Sequence, residues 1–180
     1  MGIMKVLSPL FAHDVEGPCI VTLDQPIKIV GMGIDTDVRS VYRDVPRLGK
    51  QFEQYKETHT IPNKKQPWGF AAISQGFDRE KQTFSYTMGD VVTSFDQAPE
   101  GLVAFEIPAG TYAVFAVRPK NRLGWAMAIA NAKRYAYEVW LPGSGYAPAG
   151  TIDDFEYHDE RSTRKKDPEI DLYVAIKQKS

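Results

Sequence analysis

Two stretches of this chain run through the same order of elements: strand, helix, strand, strand. That order restricts the fold more than any composition value does. In the first stretch, residues 26–95, Ile27, Ile29, Val30, Met32 and Ile34 mark a strand. Asp44-Val45-Pro46 has the form of an N-cap followed by proline in the first helical turn. Val45, Leu48, Phe52 and Tyr55 then recur at i, i+3, i+7 and i+10, an apolar helical stripe that ends near Thr58. Strands follow from Trp68 to Ile73 and from Thr83 to Val92, where Phe84, Tyr86 and Met88 alternate with polar residues.

The second stretch, residues 101–177, opens with strands Leu102–Ile107 and Tyr112–Val117 around a Pro108-Ala109-Gly110 bend. A helix is expected from Leu123 to Trp140, with the stripe Trp125, Ile129, Ala132, Ala136 and Val139/Trp140, stopped by Pro142-Gly143. Phe155–Arg161 and Ile170–Ile176 close the unit as strands. The expected class is α+β. Duplicated β-α-β-β units with pseudo-twofold symmetry would form two antiparallel sheets with one main helix each, and a ligand groove would lie between the halves. Residues 1–25 are broken by Pro9, Gly17 and Pro18, and only Ile20–Leu23 reads as a short strand. They are expected to be an N-terminal extension before a single domain over 26–177.

Composition narrows the function by exclusion. A net charge of −1 supplies no basic field for direct nucleic-acid binding, and Arg164-Lys165-Lys166 is too short a run to count. Cys19 is alone, so neither a disulfide within the chain nor a thiolate metal site is available. His13, His59 and His158 lack ligand spacing, so no metal or cofactor is expected. No apolar run approaches a membrane span, and the N-terminus lacks a charged leader with a cleavage site; a cytoplasmic protein is expected. Gly31-Met32-Gly33 is too short for a dinucleotide loop and sits inside a strand. No Ser/His/Asp or Cys/His set is visible, so no catalytic residue is assigned.

Four motifs occur in order: EIPAGTYAVF (106–115), EVWLPGSGY (138–146), FEYHDER (155–161) and IDLYVAIK (170–177). With IKIVGMGI and FSYTMGDVV upstream, the chain over 26–177 resembles the GyrI-like effector-binding domains of the Rob/BmrR C-terminal type, in a stand-alone, integron-cassette-like form. The resemblance implies a central groove that receives drug-like small molecules, often lipophilic cations. It also implies a buried glutamate on a second-half strand, ringed by aromatics. The matching acid is Glu156, in FEYHDER. Relatives often carry a DNA-binding module ahead of this domain. Here about 25 residues precede it, so a stand-alone ligand-binding domain is expected. A second copy of the chain or a separate protein partner remains open.

A carboxylate in an apolar pocket is costly, and an organic cation offsets that cost. The competing reading of Glu156 is a solvent-facing strand acid paired with Arg161 or a lysine. Strand parity puts His158 and Glu160 on the face of Glu156, with Phe155 and Tyr157 opposite. Trp68, Tyr86, Trp125, Trp140 and Tyr173 are candidates for the aromatic wall, and each also reads as core. Tyr112, after the Pro-Ala-Gly bend, matches a recurrent family tyrosine with a structural alternative. Asp171 and Tyr173 are expected to face the groove. The ligand role is sensing or sequestration. Two other functions stay open: a small-molecule hydrolase using Glu156 with Tyr173 or Tyr86, and a protein-binding inhibitor.

Overall fold

The computed structural model describes residues 17–119 and 124–179. The strands are β1 (Cys19–Leu23), β2 (Ile27–Asp37), β3 (Phe70–Asp78), β4 (Thr83–Val92), β5 (Val103–Ile107), β6 (Gly110–Val117), β7 (Tyr146–Pro148), β8 (Asp154–His158) and β9 (Ile170–Gln178). The main helices are α1 (Val41–Thr58) and α2 (Trp125–Arg134). All strand pairs are antiparallel, and the sheet order is β1-β6-β9-β8-β3-β4-β2-β5, with β7 beside β9. The first half contributes β3-β4-β2 and the second β8-β9-β6. The two expected sheets are therefore joined edge to edge, through the β3–β8 ladder, into one.

The two faces of this sheet have different partners. Leu48 and Phe52 of α1 pack on Val30, Ala72, Tyr86, Met88 and Val92. Ala132 and Ala136 pack on Ala113, Phe115, Leu172 and Val174. The opposite face has no helix. Ile29 and Ile107 from one end of the sheet share a cluster there with Tyr112 and Ala175 from the other end, around Phe155. The curled sheet thus fills its own concave side, and the space between α1 and α2 is left on the convex side.

Several boundaries differ from the sequence reading. β1 pairs with β6, so the sheet reaches into the segment expected to be an extension. Helix α1 begins at Val41 rather than near Asp44. The Asp37 carboxylate accepts from the Arg39 and Ser40 backbone N–H groups and starts the helix early. Asp44 is instead buried and accepts from Thr36 Oγ1 at 3.0 Å, and Pro46 lies inside the helix. β3 starts at Phe70, which leaves Trp68 in the preceding loop. After Arg134 the helix widens into π turns over Tyr135–Trp140. The change in winding shifts the stripe, so Val139 is 60% exposed while Trp140 packs inward. Strand β8 stops at His158, and Glu160–Thr163 forms a 3₁₀ turn. Asp159 caps that turn by accepting from the Arg161 N–H, which bends FEYHDER out of the strand. Glu160 therefore does not continue the face of Glu156. Among the described residues, no helix is long and apolar enough to cross a membrane.

Gly31 and Gly89 sit directly opposite each other in the β2–β4 ladder. A Cβ on Gly31 would lie 1.8 Å from the Met88 carbonyl oxygen, a backbone atom that cannot swing aside. Gly31→Ala is expected to lower unfolding stability by about 2 kcal/mol or more, read from urea denaturation. An unchanged midpoint would contradict this packing.

Candidate functional site

The β3–β8 ladder sets the floor of the space between the helices. Its pairs are Phe70 with His158, Ala71 with Tyr157, Ala72 with Glu156, Ile73 with Phe155, and Ser74 with Asp154. Alternation sends Phe70, Ala72, Ser74, Asp154, Glu156 and His158 to the helix side. On β4, Asp90, Met88 and Tyr86 continue the same three rows, opposite Phe70, Ala72 and Ser74. The floor is thus a polar island set in apolar surroundings. Glu156 is 6% exposed, and its neighbour Ala72 is too small to cover it.

Helix α2 lies over this island. Trp125 comes within 6.3 Å of the His158 ring, centroid to centroid. Two turns later the Lys133 Nζ reaches Asp154 Oδ1 at 2.8 Å, Glu156 Oε1 at 3.1 Å and Ser74 Oγ at 3.2 Å. Tyr137 donates its hydroxyl to Asp154 Oδ2 at 2.9 Å. His158 Nε2 stands 3.7 Å from Glu156 Oε2. Burial opposes ionisation of Glu156, but the Lys133 ammonium and His158 outweigh it and hold the carboxyl below its ordinary value. Burial alone would lower the Lys133 value, yet the Asp154 and Glu156 charges raise it. Burial, reinforced by the Glu156 charge, pushes the Tyr86 phenol well above its usual value. The island thus sets two acids, Asp154 and Glu156, around one lysine ammonium, with the His158 ring beside Glu156.

Next to the island, an open pocket of about 350 Å³ lies between the end of α1, the loop before β3 and the 3₁₀ turn. Trp68, Phe70 and His158 line its aromatic part. Lys56, Lys64, Lys65, Glu53 and the buried Asp90 line its charged part, with Asp90 3.6 Å from the Lys56 ammonium and 3.5 Å from that of Lys64. His158 lines the pocket and stands beside Glu156, so it borders both.

The expected aromatic wall divides. Tyr86 and Trp125 lie on the side of Glu156, and Trp68 lines the neighbouring pocket. Tyr173 does not: it stacks on Phe155 at 4.4 Å in the helix-free core, on the face opposite Glu156. Tyr112 joins that core and donates its hydroxyl to the Pro108 carbonyl at 2.6 Å, closing the bend. Trp140 packs on Phe115 and Tyr146, within the core under the helix. Asp171, expected in the groove, is held by Arg161, which also pairs with Asp159 and Glu169. Of the two alternative partners for Glu156, Arg161 is thereby engaged elsewhere, whereas a lysine, Lys133, does pair with it. Lys133, Asp154 and Ser74 were not found from sequence. A lysine next to the apolar stripe of α2 is the one signal that pointed to them. Among the described residues, no group of three or more His, Cys, Asp or Glu side chains could hold a metal ion.

Comparison with known proteins gives consistent results. Residues 19–176 match the sequence model of the family described as integron-associated effector binding protein, Cass2. The transcriptional regulator BrlR of Pseudomonas aeruginosa is 32% identical over 134 residues, which is 72% of this chain and 46% of the regulator. The chain thus spans less than half the length of that curated relative. An integron cassette protein from the mobile metagenome of Vibrio cholerae superposes with a TM-score of 0.59 at 14% identity, covering 91% of this chain and 97% of that one. SAV2435 bound to tetraphenylphosphonium gives 0.65 at 11% identity, with 90% and 94% covered. The EcmrR C-terminal domain gives 0.60 at 14%, with 92% and 99% covered. At such identities these structures establish the shared fold.

The lowered Glu156 value has a consequence in acid. Its ionisation contributes stability that is present above the ordinary glutamate value of 4.5 and is lost as the pH falls through the lower folded value. The urea midpoint should drop on acidification below that pH, and drop less in Glu156→Gln. Equal acid dependence in the two proteins would contradict the ion-pair assignment.

Proposed function

The chain belongs to the family of integron-associated effector binding proteins, and on that premise we propose that it captures a lipophilic, positively charged small molecule above the β3–β8 seam. Glu156 is the charge that receives it. The observation that carries this reading is an almost fully buried glutamate, held below its ordinary value, where two acids share a single lysine. A buried carboxylate attracts an organic cation far more strongly than a surface acid does. Trp125, Trp68 and Tyr86 add aromatic surface on the same side. Cation–π attraction contributes about 0.5–2 kcal/mol for each face engaged.

The held-down Glu156 value suits a standing negative charge. A general acid or base would need a value raised toward neutrality. The hydrolytic pairing of Glu156 with Tyr173 loses its basis, because the sheet separates the two side chains. A neighbour of the same fold with tetraphenylphosphonium bound supports the view that this architecture accommodates such cations. Sensing or sequestration is the role proposed for the captured molecule. The regulators among the relatives favour sensing.

The test compares two isosteres of opposite charge. Tetraphenylphosphonium should raise the melting temperature of the wild type, with about 2.7 kcal/mol of stabilisation at a hundredfold excess over Kd. Tetraphenylborate should not. The shift should be largely lost in Glu156→Gln. Equal stabilisation of both proteins by the phosphonium would remove Glu156 from the site.

A further inference from the structure

We propose that Lys133 is a tethered rival for the cation seat at Glu156, so that a ligand with a single positive charge binds only by taking the place of the lysine ammonium. The inference rests on the cation-binding reading above and specifies which ligands the site favours.

The geometry is that of an occupied seat. An ammonium has three N–H donors, and Lys133 Nζ has three oxygens around it, from Asp154, Glu156 and Ser74. The lysine descends from the helix that roofs the island and meets the acid on the helix side of the sheet. About 24% of its side chain is exposed, so it is not sealed in. Displacement from Glu156 requires only a short swing of a flexible stem, because Asp154 and Ser74 can keep hold of the ammonium. What an incoming cation must replace is therefore one ion pair.

Selectivity follows from the exchange. A simple lipophilic cation takes Glu156 and leaves Lys133 with one carboxylate fewer. A ligand that carries a carboxylate near its cationic centre supplies Lys133 with a new partner as it takes Glu156. The favoured class is therefore a dipolar aromatic cation.

Pentyl-triphenylphosphonium and carboxybutyl-triphenylphosphonium have equal chain length and differ in the carboxylate. Calorimetric titration of both is compared across the wild type, Lys133→Met, and the double variant Lys133→Met/Asp154→Asn. The double variant removes one acid and one base together, so it leaves the charge balance of the island unchanged and empties the seat. It also keeps the test valid if the single variant, with two unbalanced acids, fails to fold. The pentyl compound should bind the double variant at least tenfold more tightly than the wild type, about 1.4 kcal/mol. The wild type should prefer the carboxybutyl compound, and the variants should lose that preference. In the unmutated protein, the Lys133 ¹⁵Nζ resonance should shift at saturation with the pentyl compound. Equal pentyl affinity in wild type and double variant, with an unmoved Nζ resonance, overturns the rivalry and leaves the cation reading intact. Absence of binding in every protein overturns both.

Discussion

Five residue pairs between β3 and β8 hold the halves of this protein in one sheet, and they decide what can meet what. Side chains alternate along a strand, so register is also a choice of face. In the observed register Ala72 lies beside Glu156 on the helix side, while Ala71 lies beside Tyr157 on the other. A slip of one residue would drive the Glu156 carboxylate into the Phe155–Tyr173–Tyr112 core, away from Lys133. The apolar packing of that core therefore fixes the position of the charged site.

The island is stable only as a set. Two buried carboxylates without Lys133 would repel each other, and Lys133 without them would be a buried unpaired ammonium. Ser74 and Tyr137 satisfy further oxygens and hydrogens around the pair. The end of β8 is fixed by a second charge cluster, in which Arg161 gathers Asp159, Glu169 and Asp171. The two clusters divide the acids of this region. One set anchors the turn after the strand, and the other faces the space between the helices.

Strand β4 and the stripe of α1 were legible in the sequence because periodicity reports which face a residue takes, whereas the burial of Glu156 was implied only by the family resemblance. Alternation also placed Phe155 and Tyr157 correctly against Glu156. It failed for Tyr173, because parity within one strand says nothing about which face is the ligand's. The pairing of Phe155 with Tyr173 and of Glu156 with Leu172 shows only that Tyr173 lies on the face opposite Glu156. Trp140 and Val139 escaped because π winding breaks the phase of an α-helical stripe. Lys133 escaped because its partners lie on β3 and β8, and no local pattern encodes such a distant ion pair. The join between the halves was hidden for the same reason.

Ala71 and Ala72 are neighbours in sequence on opposite faces of the sheet, both almost fully buried. Their methyl groups report which face a ligand occupies. Intermolecular NOEs from bound tetraphenylphosphonium, recorded on methyl-labelled protein, test the central claim directly. Contacts are expected from the phenyl protons to Ala72 and Met88, with none to Ala71 or Ala175. Contacts to Ala71 and Ala175 instead would place the ligand in the helix-free core and contradict the assignment of Glu156 as its counter-charge.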